Sequence, residues 1–250
     1  LLELARLAMA QGIALTVDAE EADRLELSLD LLAPVFAHPD LAGWNGFGLA
    51  VQAYQKRAPA VIAWLSEQAR ACGRRWCVRL VKGAYWDAEV KRAQENGHHG
   101  YPVFTRKPNT DVSYLACARA LLAEPAAFYP QFATHNAHTI AAIGHYARAA
   151  GGSGDAAQLE FQRLHGMGED LYEEVLGDGS AGLACRVYAP VGSHEDLLPY
   201  LVRRLLENGA NTSFVNRIVD EDLAIADLVA DPVATVEAFG DARAHPRIPA

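Results

Sequence analysis

The stretch YLVRRLLENGANTSF (200–214) sets Tyr200, Arg203, Arg204 and Glu207 three and four residues apart. On a helix that spacing gathers them on one broad face. Two adjacent guanidiniums form a fork-shaped receptor for a carboxylate or a phosphate. Solvated helix faces also carry paired arginines, so the chemistry must be sought together with polar groups elsewhere in the chain.

The elements that could position such a helix are regular. GIALTVDAE (12–20), GFGLAVQAY (46–54), WCVRLVKGAYW (76–86), QFATHN (131–136), LEFQRLH (159–165) and ACRVYAPVG (184–192) are predicted strands. Helical patterns follow them at 20–36, 58–73, 110–123, 138–150, 167–176 and 194–209, and an amphipathic LLELARLAMAQ opens the chain. Buried strands alternating with helices predict an α/β fold with a parallel sheet. A (βα)8 barrel missing some strands is the expected architecture, with a doubly wound open sheet as the alternative. No GxGxxG follows the first strand, against a Rossmann dinucleotide site, and GGSG (151–154) reads as a loop.

In a barrel, site residues collect at the carboxyl ends of the strands. Those ends carry Asp18, Gln52, Arg79 with Lys82, His135 with Asn136, Gln162 with His165, and Tyr188. Asp18 reads equally as a helix N-cap or as a carboxylate orienting an arginine. Arg79 and Lys82 could hold an anion, Tyr85 and Trp86 offer flat surfaces to an aromatic cofactor, and Gly83 gives backbone access. An ordinary loop with a solvated lysine is the alternative there. His135 and His138 form an HxxH, but His165 and Asp18 are scattered as further metal ligands, so hydrogen bonding of His135 and Asn136 to a polar cofactor is the preferred reading over a metal-dependent hydrolase. His98 and His99 are expected in solvent. Thr105, Arg106 and Lys107 stand in a turn before a helix, either exposed or gripping a phosphate.

The bulk properties narrow the classes. The 250 residues carry a net charge of −9 without a basic stripe, which argues against nucleic-acid binding. No apolar run is long enough to span a bilayer. The four cysteines show no zinc spacing and read as buried, reduced thiols of a cytosolic protein. The start without Met and the linker-like DARAHPRIPA end suggest a segment of a longer polypeptide.

LTVDAEEADRLE, VQAYQKR, RLVKGAYWD, GYPVFTRK, DVSYLAC, QFATHNAHT, FQRLHGMGE, RVYAPVG and YLVRRLLENGANTSFVNR, in that order, resemble the proline dehydrogenase domains of bifunctional bacterial proline utilisation proteins. The resemblance spans about residues 12–245. It implies a distorted (βα)8 barrel binding FAD non-covalently, which oxidises L-proline to Δ1-pyrroline-5-carboxylate and passes electrons to a membrane quinone. It further implies a cytoplasmic enzyme with peripheral contact to the inner membrane face. Residues 1–235 would form the barrel and 236–250 a linker toward an aldehyde dehydrogenase domain.

By the same resemblance, Arg203 and Arg204 would pair with the proline carboxylate. Asp18, Tyr85, Leu164, Tyr188 and Tyr200 would complete the substrate pocket; a tyrosine as bulky as Tyr188 above the ring could, on size alone, reject a ring hydroxyl. Arg79 would lie by the flavin ring. Gln52, Val81, Lys82, Gly83, Ala84, Trp86, Thr105, Arg106, Lys107, Thr134, His135, Asn136, Gln162, Glu207, Ser213 and Phe214 would line the FAD site. The family also has an earlier strand whose lysine reaches the carboxylate, and no segment here matches it.

Overall fold

The computed structural model describes residues 1–150, 159–177, 183–209 (backbone alone from 203), 229–240 and 245–248. Among these residues, six strands pair in sequence order into one parallel sheet, curled into part of a barrel. They are β1 (Leu15–Val17), β2 (Phe47–Gln52), β3 (Trp76–Val81), β4 (Phe128–Ala133), β5 (Glu160–Leu164) and β6 (Ala184–Tyr188). The helices are α1 (Leu2–Ala10), α2 (Leu25–Phe36), α3 (Ala58–Cys72), α4 (Trp86–Glu95), α5 (Lys107–Leu122), α6 (Ala137–Ala149), α7 (Glu169–Leu176), α8 (His194–Gly209) and α9 (Pro232–Glu237). The α/β reading holds, and the sheet is of the barrel kind.

Alternation along the strands divides the sheet into two faces. Phe47, Leu49, Val51, Trp76, Val78, Leu80, Phe128, Phe132 and Phe161 enter the core beneath the helices. Burying each such side chain stabilises by about 1.5–3 kcal/mol, so this layer holds the curl. Phe36 stacks on Trp76 with centroids 3.7 Å apart, and Arg74 lies 4.6 Å over the same Phe36 ring. Arg74 is itself buried and donates to the carbonyls of Phe36 and Trp44, which joins α2 to the start of β3. The other residues of each strand face the concave side, where the chemistry lies.

Several boundaries differ from the sequence reading. The third strand stops at Val81 instead of reaching Trp86, because Gly83 takes a φ of 141° and α4 begins at Trp86. The fourth strand starts at Phe128, ahead of Pro130; pairing with β5 begins only at Gln131, so the missing proline N–H leaves no gap on that side. The helix predicted from 20 begins as a short 3₁₀ turn, Ala22–Arg24, before α2. Strands β1 and β6, predicted as buried, are partly exposed because each has a single neighbour among the described residues. Helix α9 packs on α5 and spans the expected boundary at 235. The GGSG stretch at 151–154 lies outside the described residues.

Candidate active site

Because all six strands run parallel, their carboxyl ends open at one rim. Arg79 sits in register with Ala50 on one side and Gln131 on the other. Ala50 is short, and the Arg79 guanidinium crosses above β2 to form an ion pair with Asp18, just beyond β1. The same guanidinium lies 5.6 Å from the centroid of the Tyr188 ring, at the end of β6. Three residues from three separated strands thus meet at one cation. Asp18 does not cap a helix, since the N-cap position of the following turn is Glu21; of its two sequence readings, the arginine-orienting one fits. Leu164 is buried in register with Tyr188 and completes an apolar wall.

The loop after β3 is built around a close approach. A Cβ on Gly83 would meet the Tyr54 ring at 2.4 Å, and the φ of 141° also disfavours any side chain there. Tyr54 N–H donates to the Lys82 carbonyl at 2.7 Å, fixing the turn. Gln52 bridges two loops: its Nε2 donates to the Glu20 carbonyl at 2.7 Å, and its Oε1 accepts from Ala84 N–H at 3.3 Å. Lys82 forms an ion pair with Asp111 of α5, and Lys107 reaches the same carboxylate at 3.4 Å. Two predicted cofactor-binding cations therefore share Asp111, a residue the sequence reading passed over. Tyr85 donates to Glu20 at 3.4 Å, and Trp86 Nε1 donates to the Phe104 carbonyl at 2.9 Å. Thr105 and Arg106 precede α5, and Arg106 lies 4.3 Å over the Phe239 ring. Lys107 is the first residue of α5, with Pro108 in the first turn where its missing N–H costs nothing.

After β4, Thr134 is buried, and its carbonyl accepts from Tyr172 Oη at 2.8 Å. His135 Nε2 accepts from Leu164 N–H at 3.3 Å, which ties the residue after β4 to the end of β5. Asn136 caps α6, its Oδ1 accepting from Thr139 N–H at 2.9 Å. Among the described residues, no three His, Cys, Asp or Glu side chains gather as a metal site. His165 points into solvent, and His98 and His99 are exposed. Of the free thiols, Cys77 and Cys117 are buried and Cys72 and Cys185 partly so; burial pushes Cys77 and Cys117 up to about 11.

Deeper on the concave face is a carboxylate that the sequence reading missed. Glu160 is 3% exposed. Its Oε1 accepts from Gln131 Nε2 at 2.9 Å, Gln162 Nε2 at 2.7 Å and Arg186 Nε at 2.9 Å. Its Oε2 accepts from Arg186 Nη2 at 2.9 Å and Tyr129 Oη at 3.3 Å. Burial alone would raise the Glu160 carboxyl, but the Arg186 and Gln162 hydrogen bonds and the Arg186 charge outweigh it and hold it below the ordinary carboxylate range. Burial and the Glu160 charge push Tyr129 up to about 12. The period-two pattern Glu160, Gln162, Leu164 was the available signal, one face of a strand carrying carboxylate, amide and apolar group.

Tyr200, Arg203, Arg204 and Glu207 lie on α8, as the spacing predicted, and the Tyr200 side chain is half-buried. The side chains of Arg203, Arg204 and Glu207, and the whole of Ser213 and Phe214, lie outside the described residues.

The family model described as proline dehydrogenase matches residues 1–217. The chain belongs to the proline dehydrogenase family. The bifunctional protein PutA of Salmonella typhimurium is 60% identical over 98% of this chain, which spans 19% of that protein. A crystal structure of Bradyrhizobium japonicum proline utilization A is 57% identical and superposes with a TM-score of 0.92 over 99% of this chain and 25% of the other. A proline utilization A from Bdellovibrio bacteriovorus, described as inactivated by N-propargylglycine, is 35% identical with a TM-score of 0.87, covering 93% of this chain and 24% of the other. The chain thus spans about a fifth to a quarter of the proteins it matches. Within the family fold, the Asp18–Arg79–Tyr188 constellation stands at the rim where a barrel enzyme keeps its site.

Proposed function

We propose that this chain forms the site in which L-proline is oxidised to Δ1-pyrroline-5-carboxylate with FAD as the bound cofactor. The observation that carries this reading is the convergence of Asp18, Arg79 and Tyr188 at the strand ends, in a chain of the proline dehydrogenase family. FAD fits the residues present. Lys82, Arg106 and Lys107 are cations suited to a diphosphate, and Tyr85 and Trp86 offer aromatic surface. Gln131 Oε1 is a buried acceptor without a partner among the described residues, on the same concave face. Arg79, Gln52, Val81, Lys82, Gly83, Ala84, Trp86, Thr105, Arg106, Lys107, Thr134, His135, Asn136, Gln162, Glu207, Ser213 and Phe214 would hold it.

When bound, FAD supplies a two-electron acceptor. The chain's residues do the positioning. Arg203 and Arg204 clamp the proline carboxylate, which aims the ring carbon next to nitrogen at the acceptor. Tyr85, Leu164, Tyr188 and Tyr200 enclose the ring methylenes and exclude water. Asp18 holds Arg79 in place, and the Arg79 charge favours an electron-rich neighbour. The product forms as proline's carbon gives up a hydride, its nitrogen a proton, and a C=N bond closes. N-propargylglycine, named for the Bdellovibrio relative, shares proline's carboxylate and secondary amine, which supports a pocket of this chemistry.

Electrons then pass to a membrane quinone by peripheral contact on the cytoplasmic face. Among the described residues, no helix is long and apolar enough to cross a membrane. In this reading, residues 236–250 lead toward an aldehyde dehydrogenase domain that consumes the product. The reading is tested by incubating the protein with L-proline and a soluble quinone. Formation of Δ1-pyrroline-5-carboxylate, with FAD released on denaturation, is expected; a colourless protein that forms no product would overturn it.

A further inference from the structure

The Glu160 network fixes the direction of two amides. An ionised carboxylate only accepts hydrogen bonds, and both Gln131 and Gln162 turn their Nε2 groups to Glu160 Oε1. Each carbonyl oxygen must then face away. Gln131 shows how firmly this is held: its Oε1 is buried without a partner among the described residues, a state that ordinarily favours flipping the amide. Flipping would instead set a carbonyl against the carboxylate. Arg186 neutralises the buried charge with a bidentate contact, which keeps Glu160 ionised and the arrangement locked.

Gln162 stands one step nearer the rim than Glu160 on the same face of β5, in register with Ala133 and Arg186. Its Nε2 gives one of its two hydrogens to Glu160, and its carbonyl is turned away from that carboxylate, free to meet a ligand. An isoalloxazine edge presents carbonyl oxygens and, in its oxidised form, one ring N–H. A freely turning amide could aim its oxygen in either direction, whereas a locked one keeps its oxygen away from Glu160, where it can accept the ring N–H.

We propose that Glu160 is a positioning residue that fixes the Gln162 amide with its carbonyl turned to the flavin ring as a hydrogen-bond acceptor. This rests on the reading of the site as an FAD site. It assigns a role in cofactor recognition to a side chain set below the rim.

A double-mutant cycle on the FAD dissociation constant, read by quenching of flavin fluorescence, tests it with the wild type, Glu160→Gln, Gln162→Met and the double variant. Apoprotein folding is followed in parallel by circular dichroism. With Gln162 present, E160Q is expected to weaken FAD on the order of ten-fold; in the Gln162→Met background the same change should cost less than about two-fold. Equal losses in both backgrounds, or none in either, would overturn the proposal, because a merely structural Glu160 does not act through Gln162. If E160Q does not fold, Glu160→Asp, which keeps an acceptor on a shorter arm, is carried through the same cycle with the same criterion. A wild-type protein that binds no FAD would remove the flavin reading itself, an outcome distinct from equal losses.

Discussion

Arg79 lies on β3 and Asp18 just beyond the end of β1, with the whole of β2 between them, yet they share an ion pair across the short side chain of Ala50. Asp18 is 70% exposed at its side chain, whereas Arg79 is 18% exposed. An exposed carboxylate contributes little to folding, so the pair's value lies in aiming the cation.

Asp18→Asn should therefore lower stability by less than about 1 kcal/mol. Proline turnover should fall on the order of ten- to a hundred-fold, because a misaimed Arg79 loses its relation to the substrate and ring. Thermal unfolding and steady-state kinetics on the same preparation check both halves. A large loss of stability with unchanged turnover would assign the pair to folding instead.

Gly83→Ala should be destabilising by about 1–3 kcal/mol, since the backbone conformation is unfavourable for alanine and the added methyl meets the Tyr54 ring. Tyr54→Leu should recover part of that loss by removing the ring and leaving the backbone strain. Denaturant unfolding of the two single variants and the double variant measures the recovery; no recovery would place the whole cost in the backbone.

Acid should unfold the protein partly through Glu160. Its carboxyl sits below the ordinary carboxylate range in the folded chain, so the unfolded chain binds the proton first as pH falls. Its contribution is complete above the ordinary carboxylate range and is lost as pH drops through the lowered folded value. The acid limb of stability against pH should be shallower in Glu160→Gln than in the wild type. Parallel limbs would show that other carboxylates dominate.

Arg74→Met should cost about 2–3 kcal/mol, because the carbonyls of Phe36 and Trp44 lose a buried donor while the stacking of Phe36 on Trp76 survives. A change within about 0.5 kcal/mol in chemical denaturation would mean that water replaces the guanidinium without loss.

Much of this architecture was legible because buried parallel strands are written as short apolar runs, and their ends name the rim. Asp18, Arg79 and Tyr188 were all found that way, whereas Leu164 came only from the family resemblance. The pairings were not legible. Arg79 and Asp18 are 61 residues apart, and Glu160 and Arg186 meet only because the β5–β6 register sets Gln162 beside Arg186. Helix α4 was read as a polar stretch, although Trp86, Glu89, Val90 and Ala93 keep helical spacing on one face. Glu89 hid the pattern: it is buried, and it accepts from Ala22 N–H at 2.6 Å, so a charged residue serves where an apolar one was sought. Asp111 escaped for a similar reason, as an acidic residue on a helix reads as solvent-facing until Lys82 is seen beside it.

The most direct test of the central claim is an anaerobic titration of the flavin-bound protein with L-proline, followed by visible absorption, in the wild type and in Arg204→Met. Proline should bleach the wild-type flavin. In Arg204→Met the flavin should remain bound, but half-bleaching should require proline raised by a factor corresponding to about 2–5 kcal/mol, the cost of removing one partner from a desolvated charge pair. A wild-type flavin that proline does not bleach, or an Arg204→Met protein bleached at the wild-type concentration, would contradict the account.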